Sequence, residues 1–149
     1  ADMCAAYEGL SDPVRRFIDP LKAVHDFMNF RALFKDTDED RKRLREMEIR
    51  FPNPVHPVVR THPVTRRKCL FVNRGFTTRI KELAKAESDT LLAMLFRHVE
   101  TPEFQCRFRW HKDSVAFWDN RSTQHYASSD YHPHRRVMER ITIAGDQPF

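Results

Sequence analysis

At 149 residues the chain is long enough for one domain with a packed core, and its 40% hydrophobic and 32% charged residues exclude a disordered tail. No run approaches the roughly eighteen apolar residues of a membrane-spanning helix, and the opening ADMCAAYEGL lacks the basic start and long apolar stretch of a secretory signal. The net charge of +5 admits nucleic acid or a small anion as partner, but the bases are interleaved with acids, as in KDTDEDRKRLREMEIR, which reads as a solvated helix face.

Asp2 to Leu10 is predicted as a short helix with Asp2 at its N-cap. Ser11-Asp12-Pro13 restarts a helix, Pro13 suiting its first turn, and VRRFIDPLKAVHDF continues it with apolar residues at helical spacing. FMNFRALFKDT has no period and several aromatics, and is expected to be a covering loop. Thr37 to Arg50 is a polar helix stopped by the prolines of FPNP. The period then becomes two. HPVVRTHP, residues 56 to 63, and KCLFVN, residues 68 to 73, are predicted strands joined by the turn VTRR. ESDTLLAMLFRHVE puts Leu91, Leu92, Leu95, Phe96 and Val99 on one helical face. FQCRFRW, SVAFWDN and RRVMERITI are expected to be neighbouring or facing strands with Phe117 or Trp118 buried. Helices followed by antiparallel-type strands point to a single domain over residues 1–149, mainly β with helices, of sandwich or jelly-roll type.

Cys4, Cys69 and Cys106 are odd in number and form no C-x-x-C pair, so reduced, mostly buried thiols in a cytoplasmic protein are expected. Only three glycines occur, which excludes a Gly-rich phosphate loop.

The candidates for chemistry concentrate near the C-terminus. His125 lies where the SVAFWDN strand runs out into a loop, and its imidazole there suits a metal ligand, a general base or a structural histidine. Eleven and fifteen residues later come Arg136 and Arg140. On an extended chain they share a face, about 13 Å apart at about 3.3 Å per residue. Arginine suits a bidentate grip on carboxylate or sulfonate, and buried guanidinium groups would each need an anion.

WDNRSTQHYA followed by RRVMERITIAGD resembles the C-terminal signature of the taurine dioxygenase family of Fe(II)- and 2-oxoglutarate-dependent oxygenases. HPVVRTHPVTRRKCLFVNRGFTTRI, residues 56 to 80, carries the same resemblance, which continues through AAYEGLSDP near the start. It implies a double-stranded β-helix, or jelly roll, present here as its C-terminal portion. It also implies Fe(II) as metal and 2-oxoglutarate as cosubstrate. By position, His125 matches the distal histidine of the 2-His-1-carboxylate iron site. Arg136 matches the arginine that pairs with the far carboxylate of 2-oxoglutarate. Arg140 matches one near the substrate's anionic group and the cosubstrate's other carboxylate. Phe76 matches an aromatic lining the substrate pocket, and Phe30 is a looser second one, because its loop aligns only with a length change. The implied reaction consumes O2 and hydroxylates a small organic anion, taurine or a related alkyl sulfonate, giving succinate, carbon dioxide, sulfite and an aldehyde. Family members acting on alkyl sulfates or aryloxyalkanoates are the alternative within the family. A non-catalytic anion- or nucleic-acid-binding module is the alternative outside it. Neither nucleic acid nor membrane is expected as a partner, and homo-oligomerisation is left open.

One departure stands out. The family's first histidine and its carboxylate come as an H-x-D motif upstream of the position of Ala1, as does a threonine that helps bind 2-oxoglutarate. The chain is therefore expected to be the C-terminal half of a longer polypeptide. His111-Lys112-Asp113 spells H-x-D but falls in a turn between two predicted strands. His98 and Glu100 lie at a helix end, where side chains two apart diverge by about 200°. His132 and His134 are expected to be exposed, and His56 and His62, each before a proline at a strand edge, to be structural.

Overall fold

The computed structural model describes residues 1–26, 34–50 and 52–149; Phe30, and most of the expected covering loop, lie outside them. Helix α1, Met3–Glu8, begins where the carboxylate of Asp2 accepts the amides of Cys4 and Ala5 at 2.8 and 3.1 Å. Replacing that cap should cost about 1 kcal/mol. Asp2→Ala is therefore expected to lower the urea midpoint by a corresponding amount without changing the slope, and an unchanged midpoint would show that the cap is dispensable. At the other end of α1, Gly9 admits the ring of Phe104, whose Cζ would lie 2.6 Å from a Cβ at that position. The 3-10 turn Pro102–Phe104 can approach because no side chain stands there.

Helix α2, Asp12–Ile18, carries Pro13 in its first turn as expected. The predicted continuation of this helix to Phe27 is corrected. Pro20 has no N–H and cannot continue the helix, and Lys22–His25 instead forms β1. This strand is the centre of a three-stranded antiparallel sheet, β2-β1-β5, with β2 Val55–Pro57 and β5 Thr77–Ile80. The exposed polar helix α3, Asp38–Arg50, precedes β2 and has no buried residue, in keeping with its interleaved charges.

The predicted strand HPVVRTHP divides at a single residue. Val55–Pro57 pairs with β1, whereas β3, Val59–Thr61, pairs with β4, Lys68–Leu70, in a second antiparallel sheet. Between them Val58 is fully buried, donating to the Leu21 carbonyl at 2.9 Å and accepting the Phe71 amide at 2.7 Å. The predicted VTRR turn closes the β3–β4 hairpin, with Arg66 at a φ of 62°. Helix α4, Lys85–Val99, buries Leu92, Leu95 and Val99, and packs against β5, where Ser88 Oγ accepts the Ile80 amide at 2.8 Å. Helix α1 covers β4, so one core joins Met3, Tyr7, Ile18, Leu70, Ile80 and Leu95.

Three expectations are corrected. The described residues are mixed helix and sheet, not mainly β. FQCRFRW, SVAFWDN and RRVMERITI form no strands, and Phe117 is 86% exposed while Trp118 is only half-buried. A strand exists through its ladder, and no described segment runs beside these three to complete one. Finally, Cys4 and Cys69 are bonded as a disulfide, because α1 lies directly on β4, and the free Cys106 is exposed. No helix among the described residues is long and apolar enough to cross a membrane.

Candidate functional site

The loop that carries His125 begins at Asp119, whose carboxylate organises it. Oδ1 accepts the Arg121 amide at 2.8 Å, and Ser122 N–H donates to the Asp119 carbonyl at 3.1 Å, closing a tight turn. The Arg121 guanidinium straddles the same carboxylate, with Nε 2.9 Å from Oδ1 and Nη2 2.7 Å from Oδ2. From a different part of the chain, His62 Nε2 lies 3.1 Å from Asp119 Oδ2. The His62 ring is oriented by its other nitrogen, since Nδ1 accepts the amides of Val64 and Thr65 at 3.2 and 3.1 Å. Its proton therefore sits on Nε2 and is donated to Asp119. Arg121 holds the Asp119 carboxyl well below the usual carboxylate range; desolvation opposes this and His62 adds to it.

Beyond the turn the loop is tied to the chain's first residues. Met3 N–H donates to the Ser122 carbonyl at 2.9 Å, Gln124 N–H donates to the Ala1 carbonyl at 3.0 Å, and Asp2 bridges Thr123. His125 follows immediately. Its side chain is exposed, its ring lies 4.9 Å from that of Trp118, and neither ring nitrogen has a hydrogen-bond partner among the described residues. The indole is itself held, donating Nε1–H to Asn120 Oδ1 at 2.9 Å.

Arg136 and Arg140 are exposed, on backbone that pairs with no described strand. The Arg136 guanidinium stacks over the Tyr131 ring at 5.4 Å. Phe76 is 40% exposed at the entry to β5. A surface cavity of about 390 Å³ includes His62, Arg67, Cys106, Ser122 and Thr123 in its lining, and His125, Arg136, Arg140 and Phe76 do not line it. Among the described residues no group of three or more His, Cys, Asp or Glu side chains could hold a metal ion. His111 and Asp113 sit in an exposed turn, and His132 and His134 are exposed. His98 donates Nε2–H to the Ala6 carbonyl at 2.7 Å and serves as a link between α4 and α1.

A second polar cluster, absent from the sequence-based expectations, lies where β1, β2 and β3 meet. His25 is 8% exposed, stacked on Phe71 at 5.5 Å and edge-on to His56 at 5.0 Å. Burial, and then His56, push its pKa from 6.5 down to about 4. Arg60, 3% exposed, lies over the same Phe71 ring at 5.2 Å, and burial lowers it from the usual guanidinium range. Its charged neighbours are Asp146, Arg121 and Asp119, which places it beside the His125 loop. Arg60 and His62, two apart on an extended chain, share a face. That alternation was the available signal for the pair, and the proline after His62 obscured it.

The model of the family described as taurine catabolism dioxygenase TauD, TfdA family, matches residues 1–142. The chain is 40% identical to the alpha-ketoglutarate-dependent sulfate ester dioxygenase of Pseudomonas putida, over 99% of this chain and 50% of that protein. It is 38% identical to the alpha-ketoglutarate-dependent sulfonate dioxygenase of Saccharomyces cerevisiae, over 99% of this chain and 35% of that protein. The crystal structure of a taurine dioxygenase from Burkholderia xenovorans superposes with a TM-score of 0.63 at 37% identity, over 81% of this chain and 37% of that one. The chain thus spans half the length, or less, of these relatives.

Proposed function

The chain belongs to the TauD, TfdA family of taurine catabolism dioxygenases, and on that premise we propose that it carries the anion-binding part and one iron ligand of an Fe(II)- and 2-oxoglutarate-dependent dioxygenase acting on a small organic sulfonate or sulfate ester. The observation that carries the proposal is His125 at the end of a pinned loop, followed within the matched span by Arg136 and Arg140. His125 fits a metal ligand, because its imidazole is exposed and its ring nitrogens are unpartnered among the described residues. The other two ligands are not found among those residues, so no chemical step is derived through the metal. Bound at a complete site, the iron would supply the oxygen chemistry that converts 2-oxoglutarate to succinate and hydroxylates the substrate.

The roles assigned to this chain's residues are binding and positioning. Arg136 takes the far carboxylate of 2-oxoglutarate by a bidentate grip, and Arg140 takes the substrate's anionic group. Phe76, with Phe30, lines the apolar side of the substrate pocket. For these groups to converge, residues 135 to 143 pair as a strand of a jelly roll, which the alternation Arg136, Met138, Arg140 supports. The two relatives named for sulfate esters and sulfonates support the substrate class.

The test is turnover by the intact polypeptide with Fe(II) and 2-oxoglutarate against a panel of alkyl sulfonates, alkyl sulfates and aryloxyalkanoates. Succinate should form in step with sulfite from taurine or with sulfate from an alkyl sulfate. A folded protein whose succinate release no anion in the panel stimulates would refute the proposal.

A further inference from the structure

We propose that Asp119, clamped between His62 and Arg121, is a positioning residue that fixes where His125 presents its imidazole. The inference rests on the reading of His125 as a metal ligand. A turn at residues 119 to 122 needs only the bond from the Arg121 amide to Oδ1. The carboxylate receives far more than that. Both nitrogens of the Arg121 fork reach it, and His62, 57 residues away in sequence, reaches it from the β3–β4 hairpin. His62 cannot swing away, because its Nδ1 is held by two backbone amides of the hairpin turn and its side chain is 6% exposed.

Asp119 therefore fixes one end of the loop to the hairpin, and residues 122 to 124 fix the other end to α1 and the residues before it. His125 is the first residue beyond these ties. Its ring touches Trp118, which is held in turn through Asn120. Its backbone is thus located from two elements distant in sequence, while its ring nitrogens stay unpartnered among the described residues. A ligand held within a fraction of an ångström by the groups behind it binds metal more tightly than one on a free loop. Replacing such outer groups typically costs about 10–100-fold in metal affinity.

The experiment uses the intact polypeptide with Co(II) as the metal probe. It compares wild type, His125→Ala, Asp119→Asn, His62→Phe and His62→Gln for Co(II) dissociation constant. It also compares amide hydrogen exchange of residues 122 to 125 in the metal-free protein. His125→Ala should lose most Co(II) binding. Asp119→Asn and His62→Phe should each weaken it by about 10–100-fold and speed exchange in residues 122 to 125 while α4 keeps its protection. His62→Gln, whose amide N–H can still reach the carboxylate, should recover most of the affinity. If Asp119→Asn and His62→Phe leave Co(II) affinity and local exchange unchanged while His125→Ala loses the metal, the metal reading stands and the brace is refuted. Exchange that rises throughout, α4 included, in all the Asp119 and His62 variants would also refute it, by showing a merely structural role. If His125→Ala binds Co(II) as wild type does, both fall.

Discussion

In the intact polypeptide, Arg136→Ala should raise the 2-oxoglutarate concentration needed for half-maximal turnover by roughly 10²–10³-fold, whatever the primary substrate. In the proposed jelly-roll arrangement, where Arg136 would be buried against that carboxylate, removing one partner of the charge pair costs about 3–5 kcal/mol, because the other charge is left without compensation. Arg140→Ala should act differently. It should weaken the primary substrate and leave succinate formation running ahead of product. Measuring succinate and product together in both variants, over sulfonates, sulfates and carboxylates, separates the two roles. The same isolated 2-oxoglutarate defect in both variants would remove Arg140 from substrate binding. No defect in either would leave the face formed by Arg136 and Arg140 without a part in the site.

The second large effect concerns acid stability and centres on His25. Its folded pKa of about 4 lies below the 6.5 of an unperturbed imidazole, because burial and then His56 oppose its charging. The unfolded chain therefore takes up this proton first. The stability contributed by an uncharged His25 is complete above about pH 6.5 and is lost as the pH falls toward 4. At about 1.4 kcal/mol per unit the loss approaches 3 kcal/mol, a large part of a typical domain's stability. His25→Gln should flatten the fall in urea midpoint between pH 6.5 and 4 relative to wild type. Equal slopes in the two proteins would show that His25 charges freely in the folded state. Asp119, whose carboxyl Arg121 holds low, adds a separate loss at more acidic pH, as that group protonates.

The elements that were legible in the sequence are those whose signal is local. Asp2 and Pro13 announced two helix starts, the 3.6-residue period announced α4, and the alternation of HPVVRTHP with KCLFVN announced the β3–β4 hairpin. What could not be read depends on distant partners. Lys22–His25 looks helical by period but pairs on both edges with strands far away in sequence. RRVMERITI has the alternation of a strand but meets no ladder among the described residues. The same division holds at the site. The spacing of His125, Arg136 and Arg140 is a local pattern but their convergence is not, and the bond from His62 to Asp119 spans 57 residues and leaves no local pattern.

The division of one extended segment between two sheets at Val58 limits how this stretch of chain can vary. Side chains alternate faces with a period of two, so a one-residue insertion or deletion between Pro57 and Arg60 would turn Arg60 and His62 to the opposite face while β2 kept its pairing with β1. Asp119 would then lose the His62 imidazole, and the buried cluster would lose its arginine, in a single event. Most connecting segments tolerate changes in length because they lie on the surface between elements. The six-residue step from His56 to His62 has no such slack. It works as a ruler, and substitutions within it are open to compensation in a way that a change in its length is not.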